Sequence, residues 1–300
     1  MNSYSIFLMQ IESLKVFCDL TETESFTRAA QINQITQSAV SQQVSALERQ
    51  FNTLLIERSK KRFRLTQEGQ ILYDAAKNIV QIYDTMCSRL QELKGVIAGT
   101  VRVSTIYSIG LHSLPPYLTR YLKTYPNVNV HVEYRRPEQV YEDVLANAVD
   151  MGLVACPTRD PRLDIIPWNR EQMVIICHPE HPLAKNKRTK LAAIDGQKFI
   201  AFEAGVPTRR AIDRVLRERR VNVRIIMELD NVETVKRAVE IDAGIAIVPL
   251  NTVTQEIAKQ TIAAIEVEDA ELQRACAIIV KKNKVLSNPA RLFISVLKEN

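Results

Sequence analysis

The chain of 300 residues is 46% hydrophobic and 25% charged, with a net charge of +6 at pH 7. Those values fit an ordinary globular protein of roughly two domains with sizeable cores. No run of about 18 apolar residues offers a membrane span, and the opening MNSYSIFLMQ lacks the basic start and apolar stretch of a signal peptide. A cytoplasmic protein is expected, with Met9 as an alternative start. Cysteines at 18, 87, 156, 177 and 276 form no C-x-x-C pair, which points to reduced thiols rather than a disulfide framework.

The positive balance permits a nucleic-acid partner without establishing one. Residues 1–97 hold 11 Lys and Arg against 10 Asp and Glu, so the first third nets only +1. Its basic charge is local: Arg58, Lys60, Lys61, Arg62 and Arg64 fall within seven positions. A local cluster is better evidence for phosphate contact than a global excess, although a solvated basic loop would use the same residues.

Ser25 is a good N-cap for a short helix through Ile32, with Phe26, Ala29 and Ala30 facing inward. Asn33-Gln34-Ile35 makes a turn, and Thr36 caps a second helix. Two short helices joined by a tight turn form a helix-turn-helix, whose second helix enters the major groove. In TQSAVSQQVSALERQF (36–51) the apolar positions Val40, Val44, Leu47 and Phe51 make one helical stripe. The opposite face carries Ser38, Ser41, Gln42 and Ser45, with no charge until Glu48. Gln pairs bidentately with adenine and Ser bonds several bases, so this face suits base reading. LLIERSKKRFRLT then alternates like a two-stranded hairpin, a wing whose tip bears Lys60, Lys61 and Arg62. Such a wing would hold phosphates and set affinity, while the Gln/Ser face sets sequence choice.

The stretch SFTRAAQINQITQSAVSQQVSALERQFNTLLIERSKKRFRLTQEG resembles the winged helix-turn-helix of the LysR-type transcriptional regulators. It shares the SFTRAA helix, the T-Q-S-A-V-S-Q-Q-V-S-A-L-E core, the following L-x-E-R and the L-T-x-x-G that closes the wing. The resemblance implies a DNA-binding domain over 1–66, with Arg28, Thr36, Gln37, Ser38, Ser41, Gln42, Lys60, Lys61 and Arg62 at the DNA. The family often has Arg where Gln42 stands, so this chain trades a cation for an amide there.

Thr66 is the expected N-cap of a long connecting helix, with Glu68 favourably placed in its first turn. Leu72, Ala76, Ile79, Tyr83, Met86, Leu90, Leu93 and Ile97 follow at alternating spacings of four and three. That heptad seam, roughly 40 Å long at 1.5 Å per residue, predicts a two-helix contact over 67–97, on the ground that the helix has no domain of its own to pack on. The first seven of these residues form the expected dimerisation set. One short recognition helix reads too few bases to be selective, so a dimer also fits the chemistry. LysR-type regulators likewise dimerise through a linker helix here, and many pair again into tetramers.

Gly95 and Gly99 end that helix. Strand and helix patterns then alternate: TVRVST, a helix after Ser108, VNVHVEY, PEQVYEDVLANA, DMGLVA, MVIIC, KFIAFE, TRRAIDRVLRER, VRIIMEL, VETVKRAVEID and GIAIVP. The alternation predicts an α/β fold with mainly parallel sheets. Three strand-to-helix junctions offer anion-binding chemistry at positive helix ends: Thr105-Ile106-Tyr107-Ser108, Gly205 to Arg209, and Asp230 to Glu233. Arg209 would add a charge-assisted bond; ordinary N-capping explains any one junction equally well.

LHSLPPYLTRYLKTYPNV, DMGLVA, HPLA, TRRAID and VETVKRAVEIDAGIAIVP are also similar to LysR-type segments, and this half is weakly similar to regulators of sulfur assimilation. The resemblance implies an effector domain over 98–300, like the periplasmic binding proteins. Subdomain I would cover about 98–170 and 270–300, subdomain II about 171–269. Thr105, Tyr107, Ser108, Thr208, Arg209 and Asn231 would line the cleft between them. Ile106 and Tyr107 stand where relatives often carry small hydroxylated residues.

An enzyme is the first rival reading, but G-x-G-x-x-G, G-x-x-x-x-G-K-[ST], H-E-x-x-H and G-x-S-x-G are all missing from the sequence. His178-Pro-Glu-His181 reads as a loop rather than a metal site. A redox sensor using Cys156 and Cys177 is the second rival, and nothing in the sequence marks a low thiol pKa. The expectation is therefore a cofactor-free transcription regulator, a homodimer or homotetramer. Its expected partners are inverted-repeat duplex DNA, a small anionic effector and RNA polymerase.

Overall fold

The computed structural model describes residues 10–57, 63–92 and 97–299. They fall into two compact units, residues 1–96 with 146–148 and the remainder.

The first unit packs α1 (Ile11–Thr23), α2 (Phe26–Ile32), α3 (Gln37–Phe51) and α4 (Gln67–Glu92) around one apolar core. Ser25 caps α2 by accepting from Arg28 N at 3.3 Å, and Thr36 caps α3 by accepting from Ala39 N at 3.2 Å. Ala29, fully buried, lets the two helices come close. The turn between them puts Gln34 at φ +54°, a left-handed conformation that non-glycine residues adopt at a cost. Val40, Val44 and Leu47 are buried as the periodicity requires, but Phe51 is 45% exposed because α3 ends there, beyond the core. The wing begins with an Ile56–Leu65 bridge and a bond from Glu57 N to Arg64 O at 2.9 Å. Its expected tip residues Lys60, Lys61 and Arg62 lie outside the described residues. Thr66 caps α4 through Gly69 N at 2.9 Å. A Cβ at Gly69 would lie 2.0 Å from Leu55 O, which explains why the L-T-x-x-G stretch ends in glycine.

The expected seam on α4 needs correcting. Ala76 is fully buried in the first unit's own core, and Leu72 packs against that core. Tyr83 is partly buried, with Lys15 Nζ 5.2 Å from its ring centroid. The helix therefore does have a domain to pack on, along α1. The solvent-facing apolar stripe is Ile71, Ile79, Ile82, Met86 and Leu90, each 41–71% exposed, rotated from the expected seam. Of the expected set, Ile79, Met86 and Leu90 stay on this stripe; Leu93 lies outside the described residues.

The second unit has two lobes, each with its own core. Strands β1 (Gly99–Ile106), β2 (Val128–Arg135), β3 (Met151–Ala155), β4 (Leu163–Cys177), β5 (Arg188–Thr189), β6 (Lys198–Phe202), β7 (Arg224–Leu229), β8 (Ala246–Pro249), β9 (Ala263–Val267) and β10 (Gln273–Lys281) alternate with helices. Those helices are α5 (Pro115–Thr124), α6 (Pro137–Leu145), α7 (Pro207–Glu218), α8 (Val232–Glu240), α9 (Thr254–Ala258) and α10 (Asn288–Lys298). The larger sheet runs β2-β1-β3-β10-β4-β9-β5, with β8 also on β4, and β6 pairs with β7.

The expectation of mainly parallel sheets fails. β1–β2, β1–β3, β5–β9 and β6–β7 are parallel, but β10 runs antiparallel to β3 and β4, and β4 antiparallel to β8 and β9. The cause is the 15-residue β4, whose two halves serve different lobes. Leu163 belongs to the first core and Met173 to the second, and Leu272 ends the second core before β10 returns to the first. The crossing points are Glu171 and Arg274, which are register partners.

Candidate functional site

Two sites emerge, one in each unit. On α3 the structure leaves Gln37, Ser38, Ser41 and Gln42 exposed side by side, opposite the buried Val40, Val44 and Leu47. Thr36, the N-cap of α3, and Arg28, in the first turn of α2, are exposed as well. The Thr36 hydroxyl bonds Ser38 Oγ at 2.9 Å as well as capping the helix. The face carries donors and acceptors without charge, the chemistry that base edges require.

The second site is a cleft between the lobes, about 460 Å³ including open solvent. Three helix starts meet there. Ser108 precedes a π-helical turn over Ile109–Ser113 and has no side-chain cap bond. Thr208 stands in the first turn of α7, which also lacks a side-chain cap. Asn231 caps α8, its Oδ1 accepting from Glu233 N at 2.9 Å and Thr234 N at 3.1 Å. Uncapped helix starts leave backbone N–H groups for a ligand and carry a partial positive charge. Tyr107, Ser108, Thr208 and Asn231 all line the cleft. The Tyr107 ring lies 5.6 Å from that of Tyr134, forming an aromatic rim.

Two expected cleft residues are not on its wall. Strand alternation turns Thr105 into the protein interior, where it is fully buried and bonds Ile106 O at 3.3 Å; Ile106 takes its place on the wall. Arg209 points away. Its Nε bonds Asp213 at 2.8 Å, and its Nη1 bonds Phe202 O at 2.6 Å and Glu228 at 2.7 Å. Its guanidinium ties α7 to β6 and β7.

The cation at the cleft base is Arg274, which the sequence reading missed. It is 3% exposed and pairs with Glu171 at 2.5 Å. Its other donors reach Ser108 Oγ at 3.0 Å and Thr208 Oγ1 at 3.4 Å, one from each lobe. Glu171 also accepts from Ser113 Oγ at 2.5 Å and Asn251 Nδ2 at 3.1 Å. Burial pushes the Glu171 carboxyl up, but Arg274 and these hydrogen bonds more than offset it, holding the group below the usual carboxylate range. A charged residue just before each apolar run, Glu171 before MVIIC and Arg274 before ACAIIV, was the available signal. Elsewhere His112 Nε2 meets Glu233 at 2.7 Å, again linking the lobes, and Lys236, 2% exposed, holds Glu233 and Glu256 at 2.9 Å each. Arg136 approaches Asp230 at 3.6 Å at the mouth.

The cysteines do not favour a redox sensor. Cys177 is fully buried, and burial with Asp242 pushes its thiol up to about 11. Burial also raises Cys156, despite Arg274, Arg214 and Arg210 nearby. Both settings disfavour the reactive thiolate. His181 Nδ1 accepts from Leu183 N at 3.2 Å, so it serves as a local turn cap. Among the described residues no helix is long and apolar enough to cross a membrane.

A DNA-reading helix-turn-helix joined to a two-lobed binding domain defines a ligand-responsive transcription regulator. Residues 11–70 match the bacterial regulatory helix-turn-helix protein of the lysR family, and residues 94–300 match the LysR substrate binding domain. The chain belongs to the LysR family of transcriptional regulators, and is not an enzyme. It is 30% identical to the transcriptional activator CmpR of Synechocystis sp. over 287 residues, 96% of this chain and 94% of that one. It is 28% identical to the regulator CysL of Bacillus subtilis over 292 residues, covering 97% and 98% of the two. Among solved structures, full-length CbnR in complex with its target DNA superposes with a TM-score of 0.70 at 20% identity, covering 96% and 99%. The Synechocystis CcmR regulatory domain in complex with 2-PG gives 0.61 at 24% identity, covering 67% of this chain and 98% of that one. These structural likenesses concern the fold.

Proposed function

We propose that the regulator answers to a small anionic metabolite held non-covalently, without a cofactor, in the cleft between the lobes. The observation that carries this reading is convergence: the starts of the π-helical turn, α7 and α8 meet beside one buried arginine, Arg274. Ser108 and Thr208 offer hydroxyls from opposite lobes, so an anion bridging them draws the lobes together. Closure then shifts the population of DNA-binding states. CcmR, a structural neighbour whose regulatory domain was solved with 2-PG, shows that a domain of this fold holds a small ligand.

On the DNA side, Gln37, Ser38, Ser41 and Gln42 read bases, with Arg28, Thr36 and the wing residues Lys60, Lys61 and Arg62 on the backbone. An inverted-repeat site and a homodimer match the two-fold symmetry such readers use, and a DNA-bound regulator of this kind acts in the cytoplasm. The exposed stripe Ile71, Ile79, Ile82, Met86 and Leu90 on α4 is the surface for a second copy. Ile225, Ile226 and Met227, exposed on the edge strand β7, fit a further contact that builds a tetramer. RNA polymerase is the further partner of such a regulator.

A thermal-shift screen of small anions on the full chain tests the cleft, because a ligand that binds only the native state raises its melting point. A hit whose shift disappears in Thr208→Ala supports the reading. A hit unaffected by both Ser108→Ala and Thr208→Ala places the ligand elsewhere.

A further inference from the structure

We propose that the outer face of α7, with the segment leading into β7, is a second DNA-binding surface that grips duplex phosphates without reading sequence. Its arginines are not among the residues that line the effector cleft. The whole chain has 40 basic and 34 acidic residues, and residues 1–97 hold 11 and 10 of them, leaving 29 and 24 in residues 98–300. That excess of +5 sits within residues 207–224, which contain seven arginines, no lysine and only Asp213 and Glu218 as acids. The rest of the second unit is neutral, and the unit that carries the helix-turn-helix nets only +1.

The seven arginines divide by face. Arg209 is turned inward and held by Asp213 and Glu228. Arg210, Arg214 and Arg217 are exposed at spacings of four and three, which places them in one row along the outside of the helix. The row is roughly 10 Å long at 1.5 Å per residue. Arg219, Arg220 and Arg224, also exposed, follow at and beyond the helix end. Among the described residues Arg209 alone of the seven has ion pairs. Six like charges held this close repel one another, and the arrangement becomes favourable when a polyanion lies across it.

Duplex DNA is the occupant the chemistry favours. It presents about one charge per 1.7 Å of axis, so a row of this length spans several phosphates. Guanidinium forks bond phosphate oxygens bidentately, which lysine does not do. A LysR-family protein already sits on DNA, so phosphates reach this face at high effective concentration.

The test is DNA binding by the full chain to a 60-base-pair duplex of random sequence, by fluorescence anisotropy across a salt series. Each phosphate contact contributes about 0.9 to the slope of log affinity against log salt. The triple substitution Arg210→Gln, Arg214→Gln, Arg217→Gln should flatten that slope by about 2 to 3 and weaken binding at the lowest salt at least tenfold. Arg210→Lys, Arg214→Lys, Arg217→Lys should keep most of the slope, which separates lost charge from lost folding. Combining the Gln triple with Lys60→Ala and Lys61→Ala should flatten the slope additively. An unchanged slope in the Gln triple overturns the proposal. An unchanged slope together with lost binding to polyglutamate also overturns it, and assigns the face to an acidic protein.

Discussion

Arg274 and Glu171 stand opposite each other on β10 and β4, at the two points where the chain crosses between the lobes, and close an ion pair at 2.5 Å. Both side chains are nearly excluded from solvent. Removing one partner of a buried pair strands the other charge, at a cost of about 3–5 kcal/mol. Glu171→Gln should therefore destabilise the second unit by roughly that amount, read as a lowered urea midpoint. Replacing both residues by methionine should restore much of the loss, since hydrophobic pairs often substitute for buried ions at little cost. Equal destabilisation by the single and double changes would mean that the pair is not the source.

The same pair sets a pH dependence. The folded Glu171 carboxyl lies below its usual range, with Arg274 and the Ser113 and Asn251 hydrogen bonds outweighing burial. Its contribution is fully present above the unfolded value of about 4.3 and is lost as pH falls through the lower folded value. Stability should thus decline on acidification below about pH 4.3, and the Glu171→Gln variant should show a shallower decline over that window. A parallel decline in both proteins would assign the acid sensitivity to other carboxylates.

Arg209 and Thr208 are neighbours in sequence with opposite duties. Thr208 faces the cleft, while Arg209 ties α7 to β6 and β7. Arg209→Ala should cost about 1–3 kcal/mol of stability, chiefly by leaving the buried Phe202 carbonyl without its donor, and leave effector affinity within about twofold, well under the 1.4 kcal/mol that a tenfold change represents. Isothermal titration beside a denaturation curve separates the two effects. A large affinity loss with intact stability would return Arg209 to the cleft.

The contrast shows which parts of the structure the sequence made readable. Most of the element order from β1 to β8 and the capping residues Ser25, Thr36 and Thr66 were legible, because periodicity and caps are local. Strand direction was not. β4 runs unbroken through Pro167 and the polar Asn169-Arg170-Glu171-Gln172, so its first half and its partner β10 went unread. The inward turn of Arg209 had one local sign, Asp213 a helical turn away. Arg274 had none beyond its place at the head of an apolar run, since its partners Ser108, Glu171 and Thr208 are distant in sequence. On α4 the repeat marked an apolar band without dividing it between the helix's own domain and an external partner.

On α3, Gln37 and Ser41 project into solvent from a helix fixed by Val40, Val44 and Leu47, so changing them leaves the core untouched. Gln37→Ala with Ser41→Ala should shrink the ratio of specific to random DNA affinity by about 30-fold or more, at about 1–3 kcal/mol for each of two lost base contacts and about 1.4 kcal/mol per tenfold change. The salt slope should stay constant, because neither residue neutralises phosphate. A constant ratio would remove the base-reading assignment from this face.

The division of α4 makes a prediction that the unsplit seam would not. Ile82 is 71% exposed and Ala76 fully buried, although both belong to the helix's apolar positions. Ile82→Glu places a charge on the proposed contact between copies and nowhere near the core, so the variant should stay folded by circular dichroism yet sediment as a smaller species at micromolar concentration. Met86→Glu should behave alike, since it lies four residues on along the same stripe. Ala76→Glu buries an unpaired carboxylate among Leu14, Phe17 and Val80 and should unfold the first unit instead. If Ile82→Glu and Met86→Glu leave sedimentation unchanged, the stripe is not where copies meet, and the β7 edge at Ile225, Ile226 and Met227 becomes the surface to substitute next.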